Sequence, residues 1–259
     1  MAMALFYLIL LFKSTPSDFT TDVHKHTHKG DKGYCSENDW LESFTVIRRL
    51  INNGFHRELV SHVQCAAAVP EGSQVLLLEK LPQGVYVDPY QLTSAQEHSD
   101  TQCLCVQVLL ASEIDLEAPA YLSSGFSALV YASLDPQCSG CFTTTLPVHA
   151  RYHRPAGSGE AEQRVSIESP RLLVRAEEST LPLACPQNKV TEAPCTAQNH
   201  SLCVWLEIHY QQELEAVSLQ IPVGDQRQVL AVCTGTLSVT LLCCCMILGA
   251  VWKHGHFQL

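Results

Sequence analysis

The sequence predicts a mainly β protein: a disulfide-containing, antiparallel β-sandwich-like lumenal domain carried on a single C-terminal transmembrane helix. Three observations lead there. Val229 to Trp252 is a run of 24 residues without a charge; nine short runs rich in Val, Leu, Ile and Thr are separated by Pro, Gly, Ser and Asp; and nine cysteines precede the uncharged run.

The uncharged run fixes the frame. At about 1.5 Å rise per residue it covers roughly 36 Å, enough to cross a hydrocarbon core of about 30 Å with some tilt. Asp225 and Arg227 stand before it and Lys253 after it. Ala2 to Phe12 is a shorter apolar run of eleven residues, stopped by Lys13. It reads as the core of a secretory signal over 1–16. A signal followed by a stop-transfer helix places residues up to Gln228 in the lumen and 253–259 in the cytosol, and Lys253 agrees with the positive-inside tendency.

Within the translocated part, 17–34 is a His-rich segment predicted to be disordered, because it is polar and low in hydrophobicity. His24, His26 and His28 alternate there, but no Cys or carboxylate follows at structural metal-site spacing, so a solvated tail is favoured over a metal site. The domain proper is expected over 35–228. From Lys13 to Gln228, 26 acidic residues oppose 15 basic ones, a balance of −11. That argues against nucleic acid as a partner and against polybasic binding to anionic lipid.

The first globular stretch predicts a short helix near 37 to 44, from the capping box Ser36-x-x-Asp39 ahead of Trp40 and Phe44. A hairpin follows at Asn53-Gly54, flanked by Arg49-Leu50-Ile51 and Phe55-His56-Arg57. Strands are expected at Val75 to Leu78, Val85 to Val87, Cys103 to Leu110, Ala128 to Ala132, Thr143 to Tyr152, Arg164 to Ile167, Arg171 to Arg175, Leu202 to Tyr210 and Val217 to Ile221.

The nine domain cysteines, at 35, 65, 103, 105, 138, 141, 185, 195 and 203, allow up to four disulfides and leave one thiol over; spacing does not give the pairing. Cys138-Ser-Gly-Cys141 precedes a strand-like run rather than a helix, so a structural role is favoured over a redox pair. The sequon Asn199-His200-Ser201 lies between Cys195 and Cys203. A loop closed by these two would present Asn199 for glycosylation.

No hydrolase, zinc-protease, P-loop or dinucleotide fingerprint is present. Glu177-Glu178 are consecutive and read as a solvated acidic turn rather than a hydrolytic dyad. The densest polar stretch is Leu146 to Pro155. On a strand, His149, Arg151 and His153 share one face. They are candidates to hold an acidic partner group, or to fill hydrogen-bond needs at a sheet edge.

Four blocks in order, Phe55-His56-Arg57, Leu81 to Tyr90, Asp115 to Tyr121 and Pro147 to His153, closely resemble the PIG-X family. The resemblance runs from about Thr45 to the C-terminal helix. It implies an endoplasmic-reticulum type I membrane glycoprotein, a non-catalytic subunit of glycosylphosphatidylinositol (GPI) mannosyltransferase I that stabilises the polytopic catalytic subunit PIG-M. No cofactor and no catalytic residue are implied.

The span adds its own signal. Ala231, Gly235 and Ser238, continued by Cys245 and Gly249, form a stripe of small residues, which lets helices approach closely in lipid. A partner-contacting role is therefore expected of His149, Arg151, His153, Ala231, Gly235 and Ser238. Two alternatives share the topology: a cell-surface receptor or adhesion module, and an anchored lumenal hydrolase using His149 or His153.

Overall fold

The computed structural model describes residues 39–97, 107–157, 159–176, 189–212 and 216–255. The expected signal and His-rich segment, Ser36, Glu177-Glu178, residues 256–259 and Cys35, Cys103, Cys105 and Cys185 lie outside them.

One 3-10 turn, Asp39–Glu42, stands where the helix over 37 to 44 is expected. The Trp40 carbonyl accepts from the Ser43 hydroxyl at 2.8 Å, and β-branched residues from Thr45 onward then carry the chain into strand β1 (Phe44–Ile51). The predicted hairpin forms between β1 and β2 (His56–Cys65), with φ of 67° at Asn52 and 84° at Gly54. There follow β3 (Gln74–Leu81), β4 (Val85–Tyr86), α1 (Pro89–Glu97), β5 (Gln107–Leu110), β6 (Phe126–Leu134), β7 (Cys141–Ala150) and β8 (Glu162–Ile167). Then come β9 (Arg171–Arg175), β10 (Lys189–Pro194), β11 (Leu202–Ile208), β12 (Gln211–Gln212), β13 (Val217–Pro222) and α2 (Val229–His254).

The main sheet runs β10-β11-β9-β3-β6-β7-β2-β1-β12, with β4 beside β7 and β5 beside β6. Its pairings are antiparallel except for the short parallel contact of β12 with β1. Between β6 and β7 the ladder shrinks to Ser133↔Thr143 and Leu134↔Phe142, and there the sheet folds over. A flat sheet would hold β1 and β3 about 19 Å apart, with three strands between them at about 4.8 Å per step. Instead Arg48 of β1 meets Glu79 of β3 at 2.7 Å. The two halves thus face one another as a sandwich.

Alternation along the strands supplies the core. Phe44 and Val46 on β1, Leu59 and Val63 on β2, and Phe142, Leu146 and Val148 on β7 point inward to meet Val75, Leu77 and Val174 of the other half. The separate ribbon of β8 and β13 closes this core with Val165, Ile167, Leu219 and Ile221. The half containing β3 is buried on its outer face too. There the β10–β11 hairpin lays Trp205 and Ala193 against Leu76, Tyr131 and Leu173. The Trp205 indole donates to the Ala193 carbonyl at 3.2 Å and the Tyr131 hydroxyl to the Pro194 carbonyl at 2.9 Å, so neither polar tip is left unpaired.

Among the described residues, two disulfides hold turns: Cys138–Cys141 at the start of β7 and Cys195–Cys203 across the β10–β11 loop. Cys141 opens a strand, as the structural reading of that motif requires. Cys65 is a buried free thiol, with Sγ 3.3 Å from the Trp40 carbonyl and 3.2 Å from the Ser43 hydroxyl.

Helix α2 is long and apolar enough to cross a membrane, and none of its apolar stretch is buried in the protein. Thr234, Thr236, Ser238 and Thr240 each donate to the carbonyl four residues back, at 2.7–2.9 Å. Their hydroxyls are therefore satisfied without water, as hydrocarbon demands.

Candidate partner-docking site at the end of strand β7

On β7 the inward positions are Leu146, Val148 and Ala150, so His149 and Arg151 belong to the outer face, the alternation expected from sequence. That face is covered. His149 is 7% exposed and Arg151 4% exposed. What covers them is a set of groups from four other segments.

β2 and β4 flank β7 on either side, pairing His56 and Tyr86 with His149. His56 Nδ1 lies 2.6 Å from His149 Nδ1, the two rings meet edge to face at 4.5 Å, and Tyr86 stacks on His149 at 4.9 Å. On the other side of the ring, His149 Nε2 is 2.8 Å from the Gln91 side-chain oxygen, on α1. With that oxygen accepting, His149 carries its proton on Nε2, and its bare Nδ1 accepts from His56 Nδ1–H. A second proton on His149 would set two N–H groups against each other. Burial first, and then the nearby His56, pull its pKa below the usual histidine value, while Asp88 opposes them.

Arg151 continues the arrangement. Its guanidinium lies 4.8 Å from the Tyr86 ring centre, Nη1 donates to the Ala118 carbonyl at 2.6 Å, and its backbone N–H donates to Gly84 at 2.9 Å. Asp115 prepares that carbonyl. Its Oδ1 accepts from the backbone N–H of Glu117 at 3.0 Å and of Ala118 at 3.1 Å, turning the 115–121 loop toward β7. Burial pulls the Arg151 pKa down, and Asp115 and Tyr86 push it back up.

His153 is past the end of the strand. It sits beside Gly84, whose absent Cβ would come within 3.1 Å of His153 Nε2 and 2.8 Å of Val165. The close approach needs glycine there. Burial lowers its pKa as well. Around the buried pair runs an exposed apolar rim: Tyr90 on α1, Tyr121 and Leu122 in the loop, and Tyr152 against Phe55 at 5.0 Å.

The structure therefore brings together His149 and Arg151, puts His153 at their margin, and holds Asn199, Ala231, Gly235 and Ser238 elsewhere. Asn199 is exposed in the loop that Cys195–Cys203 closes, with its side-chain oxygen accepting from the Ser201 N–H at 3.0 Å. Ala231, Gly235 and Ser238 are exposed on α2, and a Cβ at Gly235 would meet nothing within 4 Å. Gln91 is the participant that sequence reading misses, because α1 has no long apolar stripe and buries Leu92 alone among its described side chains. The available signal is Asp88-Pro89: Asp88 Oδ1 caps the Tyr90 N–H at 2.8 Å, and proline suits the first helical turn.

His56, Tyr86, Ala118 and His149 come one from each of the four sequence blocks, and all four blocks meet at this end of the sandwich. A family model described as PIG-X / PBN1 matches residues 52–252, an interval that contains all of them. Among curated proteins, the Homo sapiens protein named "GPI alpha-1,4-mannosyltransferase I, stabilizing subunit" is 36% identical over 232 residues, covering 89% of this chain and 86% of that one. The Mus musculus protein of the same name is 34% identical over 245 residues, covering 94% and 92%.

Proposed function

The chain belongs to the PIG-X / PBN1 family, and from that premise we propose that it is the non-catalytic stabilising subunit of GPI alpha-1,4-mannosyltransferase I. It supports a PIG-M-like catalytic subunit as the first mannose is added during GPI-anchor synthesis. The observation that carries this is the agreement in name of relatives 34–36% identical over about nine-tenths of the chain. At His149 the geometry supports a structural role over a hydrolytic one: both ring nitrogens are engaged inside the fold, with His56 and Gln91, which leaves neither for a substrate.

A subunit that binds the folded partner shifts that partner's equilibrium away from degradable states. Cells lacking this chain should hold several-fold less catalytic subunit and display correspondingly fewer GPI-anchored proteins, read by immunoblot and flow cytometry. Normal abundance and activity of the catalytic subunit in such cells would refute the reading.

The chain is a membrane protein, and its proposed placement is the endoplasmic-reticulum membrane, with 35–228 lumenal, 229–252 spanning and 253–259 cytosolic. In that orientation Asn199 carries a high-mannose glycan. Asn199→Gln should migrate faster than the wild type, and endoglycosidase H should erase the difference. A receptor at the cell surface would carry a resistant glycan instead.

Partner contact is assigned to two places, the rim around His149, Arg151 and His153, and the span face bearing Ala231, Gly235 and Ser238. A Cβ at Gly235 would meet nothing within 4 Å outside its own helical turn, so a fall in recovery of the catalytic subunit with Gly235→Leu is expected to arise through a neighbouring helix. The expected loss is about 1–2 kcal/mol of helix association, or roughly a tenfold fall in recovery of the catalytic subunit, with insertion unchanged. Leu237→Ile, off the stripe, should leave recovery as it was. Equal recovery of both variants would confine the interface to the β domain.

A further inference from the structure

The end of the sandwich that gathers the four blocks is also the end tied to the membrane anchor. Ala156 forms a β-bridge with Asp225. Its N–H donates to the Gly224 carbonyl at 2.8 Å, and its carbonyl accepts from the Gln226 N–H at 3.0 Å. Gln226 to Gln228 then form a 3-10 turn that runs directly into α2 at Val229. At about 2 Å rise per residue, that turn leaves Asp225 and Ala156 within roughly 8 Å of the span's first residue. This is comparable to the interfacial layer that flanks the hydrocarbon core, about 5–8 Å on each side.

The chain immediately before Ala156 brings the apolar rim with it. Arg154 places its guanidinium 4.4 Å from the Tyr121 ring centre, and the Ala120 N–H donates to the Tyr152 carbonyl at 2.9 Å. The loop bearing Tyr121 and Leu122 is therefore fastened to the same segment that is fastened to the anchor. Tyr152 is 74% exposed, Leu122 72% and Tyr121 48%. Three large apolar side chains displayed together, with Arg154 beside them, match the chemistry of the lipid headgroup layer, where tyrosine keeps its ring among acyl carbons and its hydroxyl in water.

The geometry points to a membrane-seated face: Tyr121, Leu122 and Tyr152 rest in the headgroup layer of the bilayer that α2 crosses, and fix the tilt of the β domain over the membrane. This seating works through aromatic and aliphatic burial, so the acidic balance of the domain does not oppose it. It rests on α2 being a span and is independent of the subunit reading. Its consequence is that the buried His149–Arg151 cluster braces a surface held at the membrane plane, where an embedded partner presents its own loops.

The test uses the full chain, without the catalytic subunit, in phosphatidylcholine nanodiscs containing nitroxide-headgroup lipid. In a Trp252→Phe background, tryptophan replaces Leu122, Tyr152 or, as comparator, Leu134. Leu134 is exposed and pairs with Phe142, at the other end of β7, about 27 Å from Ala150 at about 3.4 Å per residue. Leu122→Trp and Tyr152→Trp should each lose roughly half of the added emission, as expected for rings among headgroups, while Leu134→Trp loses none. Quenching of Trp252 in the unaltered chain reports the span separately. If Trp252 is quenched but the two rim positions behave like Leu134→Trp, the proposal is overturned. If they become shielded only when the catalytic subunit is added, the face belongs to that protein and not to lipid, and the proposal is overturned equally. An unquenched Trp252 removes the span and the seating together.

Discussion

Above pH 7, where Glu79 is ionised, Glu79→Ala should destabilise the β domain by about 3–5 kcal/mol, measured as a fall in the urea midpoint of the full chain in detergent, because it strands a buried cation. Arg48 and Glu79 both have side chains 2% exposed and meet at 2.7 Å between the two halves of the sandwich. Arg48 also donates to the Glu168 carbonyl at 2.7 Å, and that is the bond it would retain. Replacing both partners with apolar residues, Arg48→Met with Glu79→Leu, should recover most of the loss, since no charge is then left in the core. A double variant as unstable as Glu79→Ala would mean that the pair contributes more than mutual neutralisation.

The same residue sets a pH dependence. Burial raises the Glu79 pKa from 4.5 to about 7, against the pull of Arg48. The folded state then binds more protons than the unfolded chain between those two values. The contribution of this group is fully present below pH 4.5 and is lost as pH rises through about 7. Glu79→Gln, which cannot ionise, should remove that falling slope. A slope unchanged in the Gln variant would assign it to another group.

Arg151→Ala should be the most damaging change at the β7 site, lowering stability by about 3 kcal/mol through a lost charge-assisted hydrogen bond and a lost cation–π contact. The Ala118 carbonyl would lose its donor, and Tyr86 the guanidinium that packs on its ring. With the 115–121 loop released, the rim of Tyr121 and Leu122 loses its fixed position. Recovery of the catalytic subunit should therefore fall further than stability alone explains, even at a temperature where the variant remains folded. Arg151→Lys should fall between, because an ammonium keeps the charge but not the planar stacking. Co-purification at wild-type level from a folded Arg151→Ala protein would separate the cluster from partner binding.

How much of this was legible in advance follows from the range over which each cause acts. The span is determined by its own uncharged length and the β1–β2 hairpin by Asn53-Gly54, whereas the closure of the loop around Asn199 by Cys195–Cys203 appears only in the structure. The placing of His149 and Arg151 on one strand face likewise follows from the two-residue period of a strand, which every chain carries in itself. Helix α1 was missed because its signal is a cap, Asp88 with Pro89, rather than a period, and strand β10 because its order comes from pairing with β11. What only the tertiary structure decided are the partners. Nothing near Arg48 announces that it is interior; its carboxylate arrives from 31 residues away when the sheet folds at β6–β7. His149 looks like an exposed candidate until Gln91, 58 residues earlier, and His56, 93 residues earlier, close over it. Burial of a polar group is favourable only where a distant donor or acceptor meets it, and local sequence carries no record of that meeting.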